Sequence, residues 1–125
     1  MEKPVIFGGV GEYGRTCFYL DIPKFKFLLD AGIMKGKNLR EEERLPRIPK
    51  ALISEIDGVF LSHSHEDHIG ALPYLVEHGF SGTLFSSGET KEQILDKQEY
   101  FEILKDVSWR TLTPWTLFCI DKILR

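Results

Sequence analysis

Apolar and polar positions alternate in short runs through the first third of the chain, then fall into longer groups with helical spacing. Val5-Ile6-Phe7 is a β-rich run that stops at Gly8-Gly9. Thr16 to Asp21 reads as a second strand and Phe25 to Asp30 as a third, with Pro23 marking Asp21 to Lys24 as a hairpin turn. Residues 33 to 50 mix both charges with Pro46 and Pro49 and read as a surface excursion, followed by a short helix around Lys50 to Ile56. Val59-Phe60-Leu61-Ser62 is dense in apolar groups and reads as a central strand. Ile69, Leu72, Leu75 and Val76 share one face of a helix expected over 69–78, where Pro73 is tolerated only near the first turn. Thr83-Leu84-Phe85 forms a fifth strand. A second helix is expected from near Thr90, where Thr90 and Gln93 fit a capping box and Ile94, Phe101 and Leu104 make an apolar stripe. Strands followed by strand–helix alternation predict an α/β (α+β) chain with one mixed sheet and flanking helices. From Ser108 the character changes: Trp109, Trp115, Leu117, Phe118, Cys119 and Ile120 are apolar, and residues 108–125 are expected to be a tail without assignable structure.

Composition narrows this picture only a little. The 125 residues suit one domain, with 42% hydrophobic and 28% charged residues. A formal net charge of -3 removes any overall basic attraction to nucleic acid, while leaving room for a local basic patch. Cys17 and Cys119 match no metal or redox spacing, and two cysteines make no disulfide framework, which points to a reducing compartment. No apolar run approaches the ~20 residues of a membrane helix, and Met1-Glu2-Lys3-Pro4 lacks a signal-peptide layout. A cytoplasmic location without membrane contact is the expectation.

Gly9-Val10-Gly11-Glu12-Tyr13-Gly14 spells G-x-G-x-x-G after a strand. A dinucleotide site needs a helix to start there, since the helix N-terminus holds the pyrophosphate. The next run, Thr16-Cys17-Phe18-Tyr19-Leu20, is strand by composition, so these glycines read as a tight turn instead.

The chemistry gathers at His63-Ser64-His65-Glu66-Asp67-His68, which holds three of the chain's four histidines. If the segment leaves its strand extended, His63 and His65 point the same way and can share one metal ion. Asp67 and His68 lie where the chain bends into a helix and can face a second ion. Neutral imidazole and carboxylate suit zinc, manganese or iron. The competing reading is a solvated loop in which Asp67 merely caps a helix, but capping does not call for three histidines. Ser62 and Ser64 read as turn and cap groups. Asp30, at the end of an apolar strand, is either a turn aspartate or an acceptor that orients a ligand histidine through its other ring N–H. His78, in Glu77-His78-Gly79, reads as a helix C-terminal capping group.

Gly8 to Gly14, Leu28-Leu29-Asp30-Ala31-Gly32 and Leu61 to Gly70 together resemble the metallo-β-lactamase superfamily. Ala71-Leu72-Pro73-Tyr74-Leu75, and Gly82-Thr83-Leu84-Phe85 followed by Thr90-Lys91, resemble its β-CASP branch, which includes ribonuclease J and the cleavage-and-polyadenylation endonucleases. The resemblance spans roughly residues 4 to 105. It implies the N-terminal half of a four-layer αββα sandwich, so residues 1–125 would be a partial domain. It implies two divalent metal ions, usually zinc, with His63, His65, Asp67 and His68 as metal ligands. Asp67 and a metal-bound water are assigned to catalysis, and Asp30 matches the first family motif.

Family members complete the site with later histidines and a bridging aspartate. No histidine occurs after His78 here, and Asp96, Asp106 and Asp121 lie in no family-like context. The chain is therefore expected to be a truncated or split version of a longer protein. It would hold metal weakly, and it would associate with itself or with the missing C-terminal half. Three functions stay open. The first is phosphodiester (RNA) hydrolysis by metal-activated water in the full-length form, and the second is hydrolysis of a small ester, thioester or lactam. The third is an inactive remnant.

Overall fold

The computed structural model describes residues 5–10, 12, 14–34, 36 and 38–113. Six strands form one sheet in the order β1(Val5–Gly8), β2(Cys17–Ile22), β3(Phe25–Leu29), β4(Gly58–Phe60), β5(Thr83–Ser86), β6(Ser108–Thr111). β1 to β3 are antiparallel neighbours, and β3 to β6 run parallel. Helices fill the parallel crossovers: α1(Glu41–Arg44) and α2(Lys50–Ile53), then α3(Glu66–Ile69) and α4(Leu72–Glu77), then α5(Gly88–Leu95) and α6(Gln98–Leu104). The expected mixed sheet with flanking helices is the one that forms. The β2–β3 hairpin turns at Pro23-Lys24, where Lys24 sits at φ 70°.

Strand alternation divides the apolar residues between two faces. Tyr19, Leu28, Val59 and Leu84 join Ile53, Ile69, Leu72, Leu75, Ile94 and Leu104 of the helices in one buried cluster. The opposite face is aromatic. Leu20 pairs with Phe27 and Phe60 with Phe85, and the ring centroids of Phe27–Phe60 and Phe60–Phe85 lie 5.2 and 4.6 Å apart.

Local departures have local causes. The helix expected over 69–78 is two helices, because the chain turns at Gly70-Ala71 before Pro73 enters the first turn of α4. The second helix starts two residues before Thr90, capped by the Ser87 hydroxyl accepting from the Thr90 N–H at 3.1 Å, so the Thr90–Gln93 capping box does not form. That helix also breaks at Asp96-Lys97. Tyr100, rather than the exposed Phe101, then joins Ile94 and Leu104 inside. Residues 108–111 are not tail but strand β6, which extends the sheet beside β5. Trp115, Leu117, Phe118, Cys119, Ile120 and Asp121 lie outside the described residues. Among the described residues no helix is long and apolar enough to cross a membrane.

Candidate metal centre

In a parallel sheet, ligand chemistry collects beyond the carboxyl ends of the strands. Asp30 follows β3, Ser62 follows β4 and Ser87 follows β5, all on that edge. The segment after β3 is stitched to α3 by backbone bonds: Ala31 N–H to His68 O at 2.8 Å, Ile33 N–H to Glu66 O at 3.0 Å and Ala71 N–H to Ala31 O at 2.7 Å. Thr16 N–H reaches Asp67 O at 3.1 Å from the start of β2. Gly32 makes this approach feasible, since a Cβ there would lie 1.7 Å from Asp67 O.

Asp30 is the hub. It is only 7% exposed and holds a left-handed φ of 63°, a conformation aspartate tolerates better than most residues. Its Oδ1 accepts the Ser62 N–H at 2.8 Å. Its Oδ2 accepts the Ser62 hydroxyl at 2.6 Å and faces His68 Nδ1 at 2.9 Å. Asp30 thus lies within hydrogen-bond reach of both Ser62 and the His68 ring. Cys17, fully buried nearby, has its thiol pKa pushed up by burial and then by the Asp30 charge, so it stays an inert thiol.

His63 and His68 come together, with ring centroids 4.5 Å apart and planes tilted by 40°. His68 Nε2 faces Asp67 Oδ2 at 3.5 Å. With the His68 proton on Nδ1, toward Asp30, two lone-pair donors face each other there, an arrangement a cation satisfies. His68 Nε2 and Asp67 Oδ2 are thus two donors of a kind that suits a divalent ion. The ring that His63 lies against is that of His68. The chain bends at Ser64-His65, and His65, its own backbone still extended, is the exposed N-cap residue of α3. Among the described residues no three His, Cys, Asp or Glu side chains are gathered as a complete ligand group. His78 ends α4, with Nδ1 2.9 Å from Tyr74 O, and takes no part in the site.

Three contacts escaped the sequence reading. Ser64 donates to Gln93 Oε1 at 2.7 Å, Lys97 Nζ donates to Ser64 O at 2.8 Å, and Ser62 links Asp30 to His63. The first two tie the histidine loop to α5 and to the start of α6 across about thirty residues of sequence, which no local spacing signals. In the glycine-rich turn, Gly9 and Gly14 hold φ of 96° and 97°, and β2 rather than a helix comes next.

The sequence profile of the Metallo-beta-lactamase superfamily matches residues 10–102. The transcription termination factor FttA of Methanothermobacter thermautotrophicus is 34% identical over 86 residues, covering 68% of this chain and 14% of that protein. Ribonuclease J 2 of Streptococcus pyogenes is 37% identical over 94 residues, covering 72% and 17%. Cleavage and polyadenylation specificity factor 73 of Drosophila melanogaster is 40% identical over 90 residues, covering 71% and 13%. Zinc-bound PqqB of Methylobacterium extorquens superposes with a TM-score of 0.54 at 18% identity, covering 80% of this chain and 36% of that one, a likeness of fold alone. Ribonuclease J 2 and cleavage and polyadenylation specificity factor 73 are of the kinds the β-CASP resemblance named, FttA is not, and this chain spans less than a fifth of the length of each.

Proposed function

This chain belongs to the metallo-β-lactamase superfamily, and from that membership we propose that it supplies the first half of a di-metal centre that hydrolyses RNA phosphodiesters in the whole protein. One observation carries the reading: Asp30 reaches across from the neighbouring strand to hold His68, whose other ring nitrogen faces Asp67. Metal-ligating histidines are oriented in this way by a carboxylate on the second nitrogen. The RNA substrate is supported by the names of the relatives, ribonuclease J 2 and cleavage and polyadenylation specificity factor 73.

His63, His65, Asp67 and His68 would hold the ions, with zinc preferred for imidazole and carboxylate donors. Bound divalent ions supply Lewis acidity and a water of lowered pKa. The chain's own residues supply placement. Asp30 keeps the His68 proton on Nδ1, α3 begins at His65, and Lys97 and Gln93 hold the loop from outside. We place residues 1–125 as part of the domain, with the remaining ligands coming from sequence like that of its much longer relatives. A second reading, a metal-binding module without turnover, draws on the incomplete ligand group among the described residues.

The test is cleavage of a labelled single-stranded RNA by the whole protein, with and without a chelator. Cleavage is expected to vanish with chelator, to return with zinc or manganese, and to be lost in Asp67→Asn and His68→Ala. Undiminished cleavage in chelator would rule the proposal out, and metal binding without any cleavage would favour the second reading.

A further inference from the structure

We infer that Ser62 is a positioning residue that fixes the tautomer of His63, so that one buried carboxylate orients two ligand histidines instead of one. The inference rests on the metal-centre reading for its purpose, but on proton counting for its content. Ser62 has a single hydroxyl hydrogen. Its Oγ lies 2.6 Å from Asp30 Oδ2 and 2.9 Å from His63 Nδ1. An ionised carboxylate only accepts, so the hydrogen goes to Asp30. Toward His63 the Ser62 oxygen is then left with lone pairs alone, and the bond forms only if His63 Nδ1 carries the hydrogen. His63 Nε2 is thereby deprotonated and free to ligate. His68 reaches the same state directly, donating Nδ1–H to the same Asp30 Oδ2 at 2.9 Å.

The arrangement is held from several sides. Ser62 N–H donates to Asp30 Oδ1 at 2.8 Å, which fixes the serine backbone relative to the carboxylate. Asp30 is itself pinned by its N–H to Phe60 O at 2.8 Å. The His63 and His68 ring centroids lie 4.5 Å apart, so the two rings tied to one acid are neighbours. Neither turn formation nor helix capping requires the hydroxyl to lie between a carboxylate and an imidazole.

The test uses the 15N-labelled full chain, without metal, in alkaline buffer where the imidazoles are neutral. Long-range 1H–15N spectra of the rings distinguish the two tautomers. Wild type is expected to show His63 and His68 both as Nδ1–H. Ser62→Ala is expected to move His63 toward Nε2–H, the form free histidine prefers, while His68 stays as it was. Ser62→Thr keeps the hydroxyl and should restore the wild-type spectrum, separating this role from general loss of folding. Zinc affinity, measured by competition with a chromophoric chelator, should fall ~10–100-fold in Ser62→Ala and stay near wild type in Ser62→Thr. Either an Nε2–H His63 in the wild-type chain or an unchanged zinc affinity in Ser62→Ala overturns the inference. If the wild-type chain binds no zinc, the ring spectra alone decide the role of Ser62.

Discussion

At the residue scale, charge and backbone shape do their work in pairs. Asp30 was legible in the sequence as an acid ending an apolar strand, but its left-handed backbone and its second partner, Ser62, depend on a segment 32 residues away. A second pair was not legible at all. Arg15 is buried, only 7% exposed, and its Nη2 donates to Glu12 Oε1 at 2.8 Å while Gly9 N–H donates to Glu12 Oε2 at 3.0 Å. Arg15 Nη1 also reaches Glu43 O and Leu45 O, both at 3.3 Å, so the pair clamps the glycine turn to α1 and the residue after it. The hydrogen bond from Arg15, helped by the Gly9 N–H, holds the Glu12 carboxyl down at about 2 against an ordinary value of 4.5. A carboxyl whose folded-state pKa is depressed favours folding fully above its ordinary pKa and loses that contribution as pH falls toward the folded value. Glu12→Gln should therefore be less stable than wild type at neutral pH. The gap in urea midpoint should narrow below pH ~4.5 and close near pH ~2. A gap that stays constant from neutral to acid would show that the charge on Glu12 is not what secures the turn.

At the scale of elements, the fit between the post-β3 segment and α3 decides whether the histidine loop is placed at all. Gly32 is the point of closest approach, because a Cβ would collide with Asp67 O at 1.7 Å and with His68 N at 2.8 Å. Both obstacles are backbone, so no rotamer change relieves them. Gly32→Ala should cost at or beyond the upper end of the ~1–3 kcal/mol typical of overpacking, and should abolish metal binding along with the fold's cooperativity. Gly88→Ala is the matched control. It lies at the start of α5 with nothing within 4 Å of an added Cβ, so ~0.5–1 kcal/mol of stabilisation is expected from helix propensity. Calorimetric melts of the two variants check the contrast, and similar midpoints would contradict it. The same elements mark where reading by spacing works. Hydrophobic periodicity located α4, since Leu72 and Leu75 face the core as their spacing demands. It missed the break at Gly70-Ala71, because apolar spacing runs through from Ile69 to Leu72 while the backbone turns. It missed β6 because Ser108, Arg110 and Thr111 are exposed polar residues on an edge strand, where only Trp109 turns inward, with its indole N–H on Ser86 Oγ at 2.9 Å.

At the scale of the whole molecule, the order of elements was legible and the convergence of the site was not. Strands followed by strand–helix alternation translate directly into an antiparallel hairpin region joined to a parallel βα region. The His68 ring that His63 meets is held by a carboxylate from another strand, which has no local signature. This long-range construction gives the site thermodynamic leverage. Asp30 lies 38 residues before the His68 it orients, and the two are brought together only when β3, β4 and α3 are assembled. An ion held by the proposed ligands His63, His65, Asp67 and His68 would bind the folded state far better than the unfolded chain, so its binding free energy would add to folding. Zinc at 100 times its dissociation constant should stabilise the chain by ~2.7 kcal/mol, less whatever the unfolded histidines and cysteines bind. For a chain of this length that corresponds to a rise of roughly 10 °C in Tm, reversed by chelator. Asp30→Asn keeps the shape but halves the acceptor capacity facing Ser62 and His68, so it should lose most of this zinc-dependent increment. An increment of equal size in Asp30→Asn and wild type would mean that the ion is held by the loop alone, and that the crossing from β3 to α3 serves the fold but not the metal.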